Sequence, residues 1–149
     1  MRRLHDTDFS GCPIPDRLES YFATAQSNYS RGIFDPRISV QSCPELAGIT
    51  IDEVWRIVEE NRQHLRADTL IHGDYCLPNI ILDNWQFSGF IDIGNGGVGD
   101  RHIDLFWGIW SLQLNLNTDK YRERFLDAYG RDKVNPDLFP VIAAIETFG

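Results

Sequence analysis

The chain has 149 residues, 42% hydrophobic and 24% charged, a balance that fits one globular domain with a real core. Its formal net charge of -8 disfavours a nucleic-acid partner, which needs clustered Lys and Arg, and suits a cationic small molecule. Cys12, Cys43 and Cys76 are odd in number and lack C-x-x-C spacing, so no disulfide framework or zinc site is expected and a reducing cytoplasm fits. No run approaches the ~20 apolar residues of a membrane span, and "MRRLHDTDFSGCP" offers no signal-peptide core.

Met1 to Leu18 reads as a short helical or extended opening, broken at Gly11, Pro13 and Pro15. Tyr21 to Pro44 has mixed polarity and is expected to be irregular, with one short helix. Thr50 to Arg66 is a clear helix. "TIDE" makes a capping box, and Ile51, Val54, Trp55, Val58 and Leu65 recur at helical spacing. "TLIH" is a short strand. "NIILD" and "QFSGFID" form a hairpin around "DNWQ". "GNGGVGD" is too rich in glycine for regular structure. Asp100 to Leu116 is apolar nearly all round, the pattern of a central buried helix, with Trp107 and Trp110 read as core. Thr118 is expected to cap a helix through Tyr129, stopped by Gly130, and Asn135-Pro136 to open a last helix to Phe148. No segment repeats. The fold class is α+β, mostly helical, with a small hairpin.

The polar residues that interrupt these apolar runs are His72, Asp74, Asn79 and Asp92. The hairpin returns Asp92 towards Asn79, at the end that holds the Asp74 loop. Three oxygen-bearing side chains around one small volume suit Mg²⁺, a hard cation that takes few protein ligands beside phosphates and water. A carboxylate within reach of a hydroxyl can orient it and take its proton. An Asp base, an Asn five residues on and a second Asp after a short hairpin are the layout of the kinase catalytic loop. Cys76 has no His partner in sequence and reads as a plain loop thiol.

The set "HGDYCLPN", "SGFIDIGN" and "GDRHIDLFW" resembles the carboxy-terminal lobe of the aminoglycoside phosphotransferases, above all the 3′-phosphotransferase branch. "LHDTDFSGCP", "FLDAYGRDKVNPD" and "IETF" extend the resemblance over most of the chain. The resemblance implies a protein-kinase-like lobe, with residues 1–149 as a single catalytic lobe of a longer two-lobe protein. It implies ATP as phosphate donor, Mg²⁺ as cofactor and a cationic aminoglycoside as substrate, in the manner of antibiotic-resistance enzymes. By the same resemblance Asp74 is the catalytic base, Asn79 and Asp92 are the Mg²⁺ ligands, and His72 and Asp104 support the catalytic loop. Asn115, Glu146 and Phe148 fall where the family binds substrate.

Several positions depart from that pattern. The only lysines, Lys120 and Lys133, follow the constellation, so neither a strand Lys nor a phosphate-covering glycine loop precedes it. Asn95 stands where the family often has Arg after the metal-binding Asp. "QLNLN" puts Leu114 and Asn115 where the 3′-branch has acidic residues. Ile145 replaces an Asp near the end, and Gly149 follows Phe148. Two other readings stand beside the kinase: an inert remnant lacking its nucleotide-binding lobe, and a metal-dependent phosphoesterase. The phosphoesterase would use His72, Asp74 and Asp92 as ligands and would need His102 or another nearby ligand.

Overall fold

The computed structural model describes Met1–Gly149. The helices are α1 (Arg2–His5), α2 (Arg17–Ser30), α3 (Arg37–Ser42), α4 (Ile51–Asn61), α5 (Arg101–Leu116), α6 (Arg122–Tyr129) and α7 (Leu138–Glu146). The strands are β1 (Thr69–Ile71), β2 (Ile80–Asp83), β3 (Gln86–Phe90) and β4 (Gly97–Gly99). They form two antiparallel pairs, β1 with β4 and β2 with β3. This is the mostly helical α+β lobe that the sequence implies.

The core is built around α7. Its Ile142, Ala143, Ala144 and Ile145 have no exposed surface, and α3, α4 and α5 pack against it. Helix α7 starts at Leu138, two residues after the expected Asn135-Pro136 opening, and Pro140 sits in its first turn, where a backbone N–H has no intrahelical partner. Helix α4 starts at the expected capping box: the Glu53 amide donates to Thr50 Oγ1 at 3.3 Å, and the Thr50 amide donates to Glu53 Oε2 at 2.7 Å.

Three expectations need correction. Tyr21 to Pro44, expected to be irregular with one short helix, instead supplies most of a 14-residue helix, Arg17–Ser30. Leu18, Phe22 and Ala25 are buried at helical spacing, but small and polar neighbours dilute the stripe. The expected Thr118 cap is a turn instead: Thr118 Oγ1 accepts from the Lys120 amide, and α6 begins only at Arg122. "GVG" is strand β4, not irregular chain, with Thr69 opposite Gly99 and Ile71 opposite Gly97. Glycine here permits close approach: a Cβ on Gly97 would lie 2.8 Å from both Ile14 O and Arg17 Cβ.

The β2–β3 hairpin turns through Asn84 and Trp85, both left-handed, at φ 48 and 62. It stands out from the core and leaves Leu82, Trp85 and Phe87 exposed, with Trp85 at 90%. No helix is long and apolar enough to cross a membrane.

Ile142→Ala should cost about 2–5 kcal/mol, because α7 has no room to collapse around the void. Denaturant unfolding checks this; a loss below about 1 kcal/mol would place α7 outside the core.

Candidate active site

Helix α5 holds the His72–Leu77 loop at two points. Asp104 is fully buried and accepts from the His72 amide at 2.8 Å and the Gly73 amide at 2.7 Å. Seven residues further along α5, Ser111 Oγ accepts from the Leu77 amide at 2.8 Å. That spacing puts both side chains on one helix face. Asp104 has a third donor, His5 Nε2 at 2.9 Å, whose Nδ1 meets Tyr129 Oη at 2.9 Å. A buried carboxylate needs such partners, since one left unpaired costs several kcal/mol.

The order His-Gly-Asp follows from local geometry. His72 Nε2 lies 2.9 Å from Ile91 O, and its Nδ1 accepts from the Asp74 amide at 3.3 Å. A neutral ring protonated on Nε2 therefore ties the loop to the end of β3. Gly73 has φ 81, and a Cβ there would lie 2.0 Å from Asn95 O. No other residue fits between the loop and the Ile93–Asn95 turn.

Asp74 is half-buried and faces a cleft of about 590 Å³. Its Oδ2 accepts from Asn79 Nδ2 at 2.9 Å, and the same amide nitrogen donates to Asp74 O at 3.0 Å. The Asn79 Oδ1 is left free of these bonds. The Ile91 amide donates to Asn79 O at 3.1 Å, so Asp92 follows one residue beyond the paired backbone. Asp92 is exposed, left-handed at φ 58, and no protein donor bonds its carboxylate. Asn79 and Asp92 do not line the Asp74 cleft itself. No group of three or more His, Cys, Asp or Glu side chains gathers around one point.

The cleft is lined by Arg17, Tyr21 and Thr24 of α2, by Gly73, Asp74, Cys76 and Asn95, and by Trp107, Trp110, Glu146 and Gly149. Glu146 Oε1 accepts from Tyr21 Oη at 2.7 Å and Trp107 Nε1 at 3.0 Å. Burial pushes its carboxyl up to about 7 against the pull of those two bonds, and nearby Asp74 adds to the rise. The Cys76 thiol is pushed up to about 12, by burial first and then by its bond to Asp74, which disfavours a nucleophilic thiolate.

Other expected site residues lie elsewhere. Phe148 is 1% exposed and packs against Trp55 and Tyr29, so its ring belongs to the core and not to a substrate surface. Asn115 is exposed outside the cleft and donates back to Ser111 O at 2.8 Å. His102 bonds Asp100 Oδ1 through Nδ1 at 2.7 Å and accepts from the Asn135 amide at 2.8 Å, in a separate cavity. It is thus not available as the extra ligand that a phosphoesterase would need. Trp107 and Trp110, read as core, are half-buried and line the cleft. Arg17 and Tyr21 went unnoticed because α2 was not expected; once that helix exists, i, i+4 spacing puts them on one face.

The fold and the loop together define a lobe of the protein-kinase-like type. A model of the phosphotransferase enzyme family (APH) matches residues 1–141, and the chain belongs to this family, that of the aminoglycoside phosphotransferases. Over 149 residues, 100% of this chain, it is 48% identical to a protein described as a probable aminoglycoside 3′-phosphotransferase in Lactococcus lactis subsp. lactis (strain IL1403), of which it covers 55%. It is 33% identical over 148 residues to an aminoglycoside 3′-phosphotransferase of Niallia circulans, covering 99% of this chain and 55% of that protein. The crystal structure of a type VIII aminoglycoside-3′-phosphotransferase superposes with a TM-score of 0.74 at 26% identity, over 99% of this chain and 57% of that one. The chain thus spans about half the length of the relatives it matches.

The raised Glu146 carboxyl binds a proton more tightly in the folded state than in the unfolded chain. Its stabilising effect is complete below the ordinary value of 4.5 and is lost as pH rises through about 7, at most about 3 kcal/mol. Glu146→Gln should flatten this part of the stability–pH curve between pH 5 and 8. Parallel curves for the two proteins would contradict the buried, proton-binding carboxyl.

Proposed function

We propose that this chain is the catalytic lobe of an ATP-dependent kinase that phosphorylates a hydroxyl of an aminoglycoside in the cytoplasm. The carrying observation is the Asp74–Asn79 pair on a loop that α5 fixes from both ends. Asn79 Nδ2 occupies Asp74 Oδ2, and Asp74 lines the cleft, where its other carboxylate oxygen would meet a substrate. A substrate hydroxyl placed there donates its proton to that oxygen as its own oxygen bonds the γ-phosphorus and the bond to ADP breaks. Asp74 keeps the proton until the product leaves.

The free Oδ1 of Asn79 and the unpartnered Asp92 carboxylate are hard oxygen donors that fit Mg²⁺. When bound, the ion would neutralise phosphate charge and hold the donor in line. The amine-bearing substrate fits the cleft at Glu146, whose carboxyl accepts from Tyr21 and Trp107. An ammonium group at this carboxyl would draw it back to the ionised form.

A second, nucleotide-binding lobe completes this reading. The described residues supply no glycine loop over the phosphates and no Lys before the catalytic loop. The exposed apolar rim of Leu82, Phe87, Ile91 and Ile93 is a surface for that lobe to cover. Relatives about twice as long support this arrangement. Without that lobe the phosphates lose their positioning, so the 149-residue chain alone behaves as the inert remnant.

The test is an ATP-consumption and product-mass assay with an aminoglycoside. The isolated chain should bind ATP weakly and show no measurable turnover. A fusion carrying the amino-terminal lobe of the Lactococcus lactis relative should transfer phosphate, and Asp74→Asn should slow it by roughly 10²–10⁴-fold. Full activity in the Asp74→Asn fusion would remove Asp74 as the base.

A further inference from the structure

Of the residues lining the cleft, only Arg17 carries a permanent positive charge. Arg17 opens α2, and its Cβ packs over Gly97 of β4. Its Nη2 donates to Asn95 Oδ1 at 2.8 Å. Asn95 belongs to the turn that follows Asp92, and its backbone lies directly against Gly73, the neighbour of Asp74. The guanidinium is therefore fixed beside Gly73 and Asp74. Glu146, Trp107 and Trp110 line the same cleft, and Arg17 is near enough to Glu146 to draw its carboxyl down against the effect of burial.

A cation is misplaced in a cleft meant only for an ammonium-bearing acceptor, since it repels that acceptor. It is well placed for an anion. Phosphoryl transfer spreads negative charge over the equatorial oxygens of the moving group, and catalysis rests mainly on positioned positive groups. One N–H of the Arg17 fork is committed to Asn95. The rest of the fork has donors left for phosphate oxygens, and Arg is suited to bidentate phosphate binding.

We infer that Arg17, held by Asn95, binds the terminal phosphate of the donor beside Asp74. The inference rests on the phosphotransferase reading and deepens it by naming a phosphate-binding residue on α2. The tether to Asn95 sets where the fork points, and Gly97 leaves room for the arginine stem.

The probe is Mg²⁺–tripolyphosphate, titrated into the 149-residue chain and followed by the NMR signals of the Arg17 Nε–H and the tryptophan indoles. Saturable shifts of Arg17 Nε–H are expected. Arg17→Gln should weaken binding by about tenfold, the loss of one charge-assisted contact. Arg17→Lys should recover part of it, since a single ammonium keeps the charge but not the fork. Arg131→Gln removes the same charge from an exposed ion-pair cluster on α6 and should change nothing. Equal affinity in Arg17→Gln and the parent chain overturns the inference, as does an equal loss in Arg131→Gln or the absence of any binding. Failure of the phosphotransferase reading shows elsewhere, as no Asp74-dependent transfer by the two-lobe fusion. Transfer by that fusion together with an unaffected Arg17→Gln titration retires Arg17 alone.

Discussion

A carboxylate with no solvent contact sits in the first turn of α5, and the site is arranged around it. Asp104 meets three donors from two distant stretches of chain: His5 of α1, and the backbone amides of His72 and Gly73. Each bond is charge-assisted, and the N-terminal end of the helix favours the negative charge further. Removing any donor would leave part of a buried charge unanswered, so the loop, α1 and α5 are held in one relative position. Asp74 needs this fixity, because a base that must align a hydroxyl cannot wander by even ~1 Å without large loss of rate.

Rigidity on one side of the cleft is matched by tuned polarity on the other. Glu146 is a carboxyl in an aromatic wall, stabilised by Tyr21 and Trp107 yet held near neutrality by burial. An arriving cation would draw this carboxyl towards its ionised form. Helix α2 joins both parts of this arrangement. Tyr21 supports Glu146, and one turn earlier Arg17 reaches Asn95 beside the loop. A single helix thus supports both Glu146 and the turn beside the catalytic loop.

The catalytic loop and hairpin were legible because their signals are local. Asp104 stood out as a carboxylate between Ile103 and Leu105, which demanded hydrogen-bond donors; the loop amides were expected, but His5, 99 residues away, could not be read from any local pattern. The wall of the cleft was the least legible part. Helix α2 hides its stripe among Ser, Thr, Gln and Asn, so Arg17 and Tyr21 had no visible face. Phe148 looked like a terminal substrate contact, but Trp55 and Tyr29 enclose it. Trp107 and Trp110 read as core because apolar residues surround them in sequence, whereas both are half-buried and line the cleft. Glycines misled in "GNGGVG", where they permit strand β4 to lie against Arg17 and Ile14.

Native-state hydrogen exchange at the amides of His72 and Gly73 tests most directly whether Asp104 locks the loop. Neither amide belongs to a strand or helix, so ordinary loop behaviour would give fast exchange. The two bonds to a fully buried carboxylate predict instead that both exchange only in openings close in free energy to global unfolding, alongside the core amides of α5. Exchange of His72 and Gly73 at the rate of unprotected loop amides would show that Asp104 does not hold the catalytic loop.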